Sequence, residues 1–571
     1  MRIAIAQINP TVGDVGGNGA MIARDIDRAK GEGAGLVIFP EMALVGYPPK
    51  DLLLKPALIE RCEAELVELA KRCDGITALV GYPAKSEKGK GRLLQNAVAV
   101  LRDGKMVARY VKTLLPTYDV FDEGRYFEPG DAIGVHVIDG VKVGVSVCED
   151  LWNEAAVLGH ELYHENPMDV IAGQGADVLV NCSASPFVMG KHDVRMQLMK
   201  HVAKKHSKPI VYCNQVGGND ELVFDGNSCV MNGEGEVIGH AKDFEEDLLV
   251  VDLPVGGDDA GGINHGVMEG CIEHSREGLD AAWAALVLGL RDYVRKCGFK
   301  KIVMGLSGGI DSALSCAVAV AAIGKENVIG VGMPSRYSSE GSVMDARELA
   351  ENLGVAFHVV PIEDAHAAME GMLSEMFTGM EEDVTEENIQ ARIRGNIMMS
   401  VSNKFGALLV TTGNKSELAV GYCTLYGDMC GGFSVLCDVP KTMVYDLSRW
   451  VNESNASELK RMYGEAVIPW NTIEKPPSAE LRPDQCDQDS LPAYEVLDEI
   501  IERYVEKDQS AKRIIDETRF DGETVLRMVR LIDLNEYKRK QAAPGLKITG
   551  KAFGFGRRMP IAQRYDNKWG V

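Results

Sequence analysis

The chain has 571 residues, 46% hydrophobic and 25% charged, with a formal net charge of −23 at pH 7. That length exceeds one hydrophobic core and predicts at least two domains of an ordinary globular enzyme. The acidic balance argues against a general nucleic-acid or membrane-surface binder, since both need a basic face, while small anionic ligands stay open through local basic pockets. No uninterrupted apolar run is long enough to span a bilayer. The opening "MRIAIAQINP" reads as a short strand and not as a signal peptide. Thirteen cysteines are scattered through strand-like runs without a C-x-x-C pair, the pattern expected of free thiols in a reducing cytoplasm.

Short apolar strands come first: "RIAIAQI", "GLVIFPE", "ITALVGYP", "NAVAVL", "KVGVSVCED", "ADVLVNCSAS" and "PIVYCNQ". Helical patterns separate only some of them, which predicts a sheet-rich α/β domain with stacked sheets. Three of the local strings carry reactive side chains. "GLVIFPEM" ends near Glu41, "VARYVKTLLPTYDVFDEGRYF" carries Lys112 and "VGVSVCEDLW" carries Cys148. A thiolate attacks carbonyls, so a cysteine needs a nearby base, and the oxyanion that follows needs a fixed cation or donor. Taken singly, each residue reads as packing or a solvated end. Together the three strings resemble the nitrilase superfamily, an αββα sandwich with a Glu-Lys-Cys triad. The resemblance covers roughly residues 1–250 and is closest to the glutamine-amidase branch fused to NAD synthetase. It implies that Cys148 attacks the glutamine amide, that Glu41 moves the proton, and that Lys112 stabilises the oxyanion. It also implies Tyr118, Ser185 and Lys191 as glutamine-binding residues.

A competing metal motif follows. "GHELYHE", residues 159–165, contains H-E-x-x-H, and on a helix His160 and His164 would share a face with Glu161 as a base. A third ligand is missing and "ENPMD" breaks any helix, so no zinc is expected.

"PVGGDDAGGINHGVMEG" has no apolar period and marks a boundary. The expected division is an amidase domain at 1–253, a linker at 254–275 and a nucleotide domain at 276–571. After the linker, strands and helices alternate strictly, which predicts a parallel sheet with helical crossovers. "VMGLSGGIDSAL" runs from a strand through a glycine pair into a helix, a place suited to phosphate. It lacks the lysine of the Walker pattern. Ser307 and Ser312 add hydroxyl donors, and Asp311 makes sense if Mg²⁺ sits between carboxylate and phosphate. The string resembles the pyrophosphate loop of the N-type ATP pyrophosphatases, which transfer AMP to a substrate oxygen. "NIQARIRGNIMM", "TTGNKSE", "YGDMCGGF" and "DVPKT" then occur in the order found in NAD synthetases.

That resemblance implies an α/β Rossmann-like domain. Gly305, Leu306, Ser307, Gly308, Gly309, Ile310, Asp311, Ser312, Thr412, Lys441 and Ser478 are expected at ATP. Asn388, Glu417 and Lys538 are expected at nicotinic acid adenine dinucleotide (deamido-NAD), with Asp311 and Glu417 on Mg²⁺. Asn388, Arg392 and Arg394 are expected on roughly one helix face. Shorter, ammonia-using relatives carry a lysine where this chain has Leu425, so that contact is lost or replaced. Residues 370–387 and 474–492 read as irregular loops of the kind that close over sites. The basic tail "KITGKAFGFGRRMPIAQRY" reads as docking on the protein or lining an anionic ligand site.

The combined resemblance implies a cytoplasmic, homo-oligomeric ligase that adenylates deamido-NAD and amidates it with ammonia from glutamine. Two readings compete: an ATP-pyrophosphatase amidotransferase acting on a purine nucleotide, and a non-catalytic protein that kept the folds.

Overall fold

The computed structural model describes residues 1–130, 134–253, 272–464, 466–483, 485–565 and 567. Most of the expected linker, residues 254–271, lies outside them. The chain divides into two compact units, 1–281 and 282–571.

The first unit is built on two six-stranded sheets. In the first, Arg2–Gln7, Leu36–Ile38 and Thr77–Lys85 run parallel, flanked by antiparallel Leu94–Arg102, Lys105–Val111 and Asp247–Asp252. In the second, Val141–Val147, Val178–Ser183 and Ile210–Asn214 form the parallel centre, with antiparallel strands at both edges. Side chains alternate across a strand, so each sheet has two apolar faces. Ile3, Ile5, Ile38 and Val98 of the first sheet meet Val143, Val145, Val180 and Val211 of the second. The outer face of the first sheet, with Ala4, Ala6, Val37 and Val80, packs on Ile22, Ile26, Ile59 and Leu66 of the helices Val15–Gly31 and Pro56–Ala70. The outer face of the second packs on Met168, Ile171, Leu198 and Val202 of Pro167–Gly173 and Lys191–His206. Four layers result, the αββα sandwich expected from the sequence.

The second unit centres on a five-stranded, wholly parallel sheet. Its strands in chain order are Ile302–Gly305, Val328–Gly332, Ala356–Val359, Leu408–Thr411 and Phe433–Ser434, and they lie in the order third, second, first, fourth, fifth. The order reverses between the first and fourth strands. At such a switch point the outgoing loops part and leave a crevice at the carboxyl ends of the strands. A cluster of helices, including Tyr494–Ile501 and Gly522–Leu534, closes around Leu497, Ile500, Val525 and Met528.

Two expectations need correction. Residues 370–387 are not one irregular loop, because the helices Glu363–Leu373 and Val384–Phe405 extend into the segment from both sides. Asp383 caps the second of these by accepting from Thr385 N, a signal masked by the surrounding acidic run. Residues 159–165 form no helix, since Gly159 ends the short helix Ala155–Leu158 in a left-handed conformation. His160 and His164 are exposed there, without the helical turn that would align them. Among the described residues no helix is long and apolar enough to cross a membrane.

Candidate active sites in the two units

In the first unit the central strand Val141–Val147 ends at Cys148, which opens a short 3-10 turn with φ of 42°. A non-glycine residue in this left-handed region is uncommon and costs conformational energy. Asp150, two residues on, holds the turn. One of its oxygens accepts from Val147 N at 3.0 Å, and the other accepts from Thr113 N and Leu114 N at 3.0 and 2.9 Å. The same carboxylate therefore fixes the cysteine turn and the chain just after Lys112.

Lys112 is fully buried between two carboxylates, 2.7 Å from Glu41 and 2.8 Å from Glu123. Burial alone would lower its ammonium, but Glu123 and Glu41 outweigh that and hold it well above its usual value. One cation cannot neutralise two buried anions. Burial accordingly pushes Glu123 up to about 7 against the opposing pull of Lys112. Tyr47 OH donates to Glu123 at 2.8 Å, Asn96 Nδ2 donates to Glu41 at 2.6 Å, and Ala184 N donates to the second Glu41 oxygen at 3.1 Å. Burial and Glu41 hold the Cys148 thiol well above its ordinary range, so the resting sulfur is protonated.

Glu149 gathers the rim of this site. Its carboxylate accepts from Tyr118 OH at 3.0 Å and from Tyr163 OH at 2.9 Å. Lys191 opens the helix Lys191–His206, donates to Pro186 O at 3.3 Å and stands 5.1 Å from the Trp152 ring centroid. Ser185 is buried, with its backbone N–H on Asn214 Oδ1 at 2.8 Å. Sequence reasoning missed Glu123, Asn96, Glu149 and Asp150. Only Glu123 and the two acids after Cys148 had a visible clue, their proximity to Lys112 and Cys148 in the chain.

In the second unit a cleft of about 510 Å³ opens at the switch point. It is lined by Gly305, Leu306, Ser307, Gly309, Ile310, Asp311, Ser312, Thr412, Lys441 and Ser478, and by Asn388, Glu417 and Lys538. Gly308 is not part of the lining. Its φ is +80°, and a Cβ there would stand 2.2 Å from Ser342 O, so its missing side chain lets the loop press against the helix Glu340–Leu353. Ser312 Oγ donates to Gly309 O at 2.9 Å and draws the loop onto its own helix.

Asp311 meets Lys441 Nζ at 2.5 Å and Asn414 Nδ2 at 2.8 Å. Glu417 lies 3.2 Å from the same ammonium. Burial raises Glu417 to about 8 despite Lys441. Burial alone would lower Lys441, but Asp311 and Glu417 outweigh it and raise it. Two carboxylates thus converge on the Lys441 ammonium. Asn414 also caps the helix Lys415–Val420 by accepting from Glu417 N at 2.9 Å. Lys415 points away from the cleft, onto Asp438 at 2.9 Å, Glu506 at 2.7 Å and Thr549 Oγ1 at 2.5 Å.

The helix Val384–Phe405 turns Asn388, Ala391, Arg394, Gly395 and Met398 to the cleft. Arg392 is exposed and donates to Leu425 O at 3.3 Å, so the three residues expected on one face do not share it. Asn388 accepts from Thr424 Oγ1 at 2.8 Å, and Lys538 Nζ donates to Gly421 O and Cys423 O at 2.7 Å each. These bonds pin the chain just before Leu425. Ser478 donates to Gln485 O at 2.5 Å within the proline-rich loop. Among the described residues, no three His, Cys, Asp or Glu side chains group to hold a metal ion.

Comparison with known proteins adds to this geometry. The carbon-nitrogen hydrolase family model matches residues 2–257, and the NAD synthase family model matches 282–542. The glutamine-dependent NAD(+) synthetase of Synechocystis sp. is 47% identical over 569 residues, 99% of each chain. That of Thermotoga maritima is 44% identical over 592 aligned positions, again 99% of each. The solved structure of the glutamine-dependent NAD+ synthetase of Acinetobacter baumannii, in complex with ADP, is 39% identical, covers 98% of each chain and superposes with a TM-score of 0.75.

Proposed function

Since the chain belongs to the glutamine-dependent NAD(+) synthetases, we propose that its first unit releases ammonia from glutamine and its second uses that ammonia to convert adenylated deamido-NAD into NAD. The observation that carries this reading is the presence of both chemical sets on one chain: Glu41 and Lys112 at the Cys148 turn, and Asp311, Glu417 and Lys441 in the cleft.

In the amidase step Cys148 Sγ attacks the glutamine side-chain carbonyl as its proton passes to Glu41. A buried, protonated thiol needs this base, since it supplies little thiolate by itself. Lys112, held by Glu41 and Glu123, offers fixed positive charge to the developing oxyanion without reorganising. The C–N bond breaks, Glu41 returns the proton to departing ammonia, and water cleaves the thioester to free glutamate. Tyr118, Ser185 and Lys191 hold the amino-acid end of the substrate. The Lys191 cation suits the α-carboxylate, and Glu149 beside Tyr118 suits the α-ammonium.

In the synthetase step a carboxylate oxygen of deamido-NAD attacks the ATP α-phosphorus and pyrophosphate leaves. Ammonia then attacks the acyl carbon and AMP departs. The Ser307–Ser312 loop and its helix N-terminus cradle the pyrophosphate, with Lys441 and Ser478 near the phosphates. Thr412 contacts ATP, and Asn388, Glu417 and Lys538 hold deamido-NAD. Asp311 and Glu417 would hold Mg²⁺, which when bound neutralises charge on the phosphate oxygens. The enzyme is read as a cytoplasmic homo-oligomer.

One assay tests the whole reading: protein, ATP, Mg²⁺, deamido-NAD and glutamine are mixed, and NAD, AMP, pyrophosphate and glutamate are followed together. All four products are expected. Glutamate without NAD or AMP would leave the amidase standing and refute deamido-NAD as the acceptor.

A further inference from the structure

Lys441 is the first residue of the helix Lys441–Glu453, and Pro440 before it provides no side-chain cap. The first N–H groups of a helix have no partner within it and need an acceptor from elsewhere. Here another helix supplies one. Asp498, on Tyr494–Ile501, accepts from Thr442 N at 2.9 Å and Thr442 Oγ1 at 2.8 Å through one oxygen. Its other oxygen accepts a hydrogen bond from the Ser416 hydroxyl. With that proton committed, the Ser416 lone pairs face Lys441, whose N–H donates to Ser416 Oγ at 2.8 Å. The two neighbours of this arrangement are the groups that meet in the cleft, since Thr442 follows Lys441 and Ser416 precedes Glu417. Asp498 itself lies outside the cleft lining.

We propose that Asp498 is the positioning residue of Lys441, acting on the start of its helix directly through Thr442 and, through Ser416, on the Lys441 N–H. It sets where the Lys441 ammonium stands relative to Asp311, and hence to the phosphates of ATP. The proposal rests on the placement of Lys441 at those phosphates. A chain of bonds with one carboxylate at its head is cooperative, because each donor polarises the next. Asparagine in place of Asp498 keeps the shape but turns an NH₂ group toward one of the two donors, so either Thr442 or Ser416 loses its acceptor.

The test is a double-mutant cycle on the full chain, read as ammonia-driven NAD formation with saturating ATP, Mg²⁺ and deamido-NAD. Asp498→Asn is made in the parent and in Lys441→Met, with enough enzyme and time to measure the residual rate of the slowest variant. A shift of about an ångström in a reacting group costs on the order of 100-fold, so Asp498→Asn is expected to lower kcat by roughly 10- to 100-fold. In the Lys441→Met background it is expected to have no further effect, because the residue it positions is gone. An additive loss in that background would overturn the role, since a residue that merely supports the fold acts whether or not Lys441 is present. Near-parental turnover in Asp498→Asn alone would also overturn it. Near-parental turnover in Lys441→Met would instead refute the placement of Lys441 and remove the role of Asp498 with it. If Asp498→Asn does not melt as a folded protein, Thr442→Val removes a single link and enters the same cycle. Its smaller loss must likewise vanish beside Lys441→Met, and persistence there would overturn the proposal.

Discussion

Gly308→Ala isolates the contribution of one missing side chain to the nucleotide cleft. The residue sits at φ +80°, where an L-residue costs about 1–2 kcal/mol. The new methyl would stand 2.2 Å from Ser342 O and 2.8 Å from Ser342 Cα, where ordinary contact begins at about 3.4 Å. Both near atoms belong to the backbone of the helix Glu340–Leu353, so no rotamer change relieves the clash. The loop must move by about an ångström, carrying Ser307 and Gly309 with it. A displacement of that size in a positioning loop lowers rate by about 100-fold. NAD formation with glutamine and with an ammonium salt should both fall by that factor, and glutamate release by the first unit should continue. The assay is initial-rate NAD formation with either nitrogen source, beside a melting curve. NAD formation within three-fold of the parent would refute the claim that Gly308 is required for the close approach.

Cys148→Ala should abolish glutamine-driven NAD formation and leave ammonia-driven formation near the parental rate; loss of both in a folded protein would contradict two separable sites. Asp311→Ala removes the carboxylate shared by Asn414 and Lys441 and should stop NAD formation from either nitrogen source, while glutamine hydrolysis persists. Glu123, raised from 4.5 to about 7, is protonated below that pH and anionic above it. Ionisation adds a second buried negative charge beside Glu41 and disfavours a thiolate at Cys148, so glutamate release should decline as pH rises through about 7. Glu123→Gln should give a slower reaction without that limb, and an unchanged pH profile would count against the assignment.

The architecture was legible because its signal is periodic. Alternation in "RIAIAQI" and "KVGVSV" places Ile3, Ile5, Val143 and Val145 between the sheets, and the strand–helix rhythm after the boundary is the parallel sheet itself. Glu41, Lys112, Cys148 and the glycine loop were legible because each ends or follows a strand within a specific string. Glu123 was not, because a carboxylate in "DEGRYF" looks solvated, and only folding brings Tyr47 and Asn96 onto it. Asp498 is one acid among Glu495 and Glu499 on an amphipathic helix, and nothing local marks it as the one turned toward Ser416. Arg392 was misassigned because a nominal four-residue spacing ignored which side of the helix meets the cleft.

The long reach of Lys415 bears on the order in which the chain matures on the ribosome. The first unit is closed once Asp247–Asp252 can pair with Arg2–Gln7. The buried ammonium of Lys415 takes partners from Glu506 and Thr549, near the end of the 571-residue chain. About 300 residues separate the two events, or roughly 15–60 s at translation rates of about 5–20 residues/s. During that interval every strand of the first unit has been synthesised, while Lys415, beside Glu417, has Asp438 but still lacks Glu506 and Thr549. Glutamine consumed in that interval would yield ammonia with no acceptor, which sets a premium on keeping an isolated amidase slow.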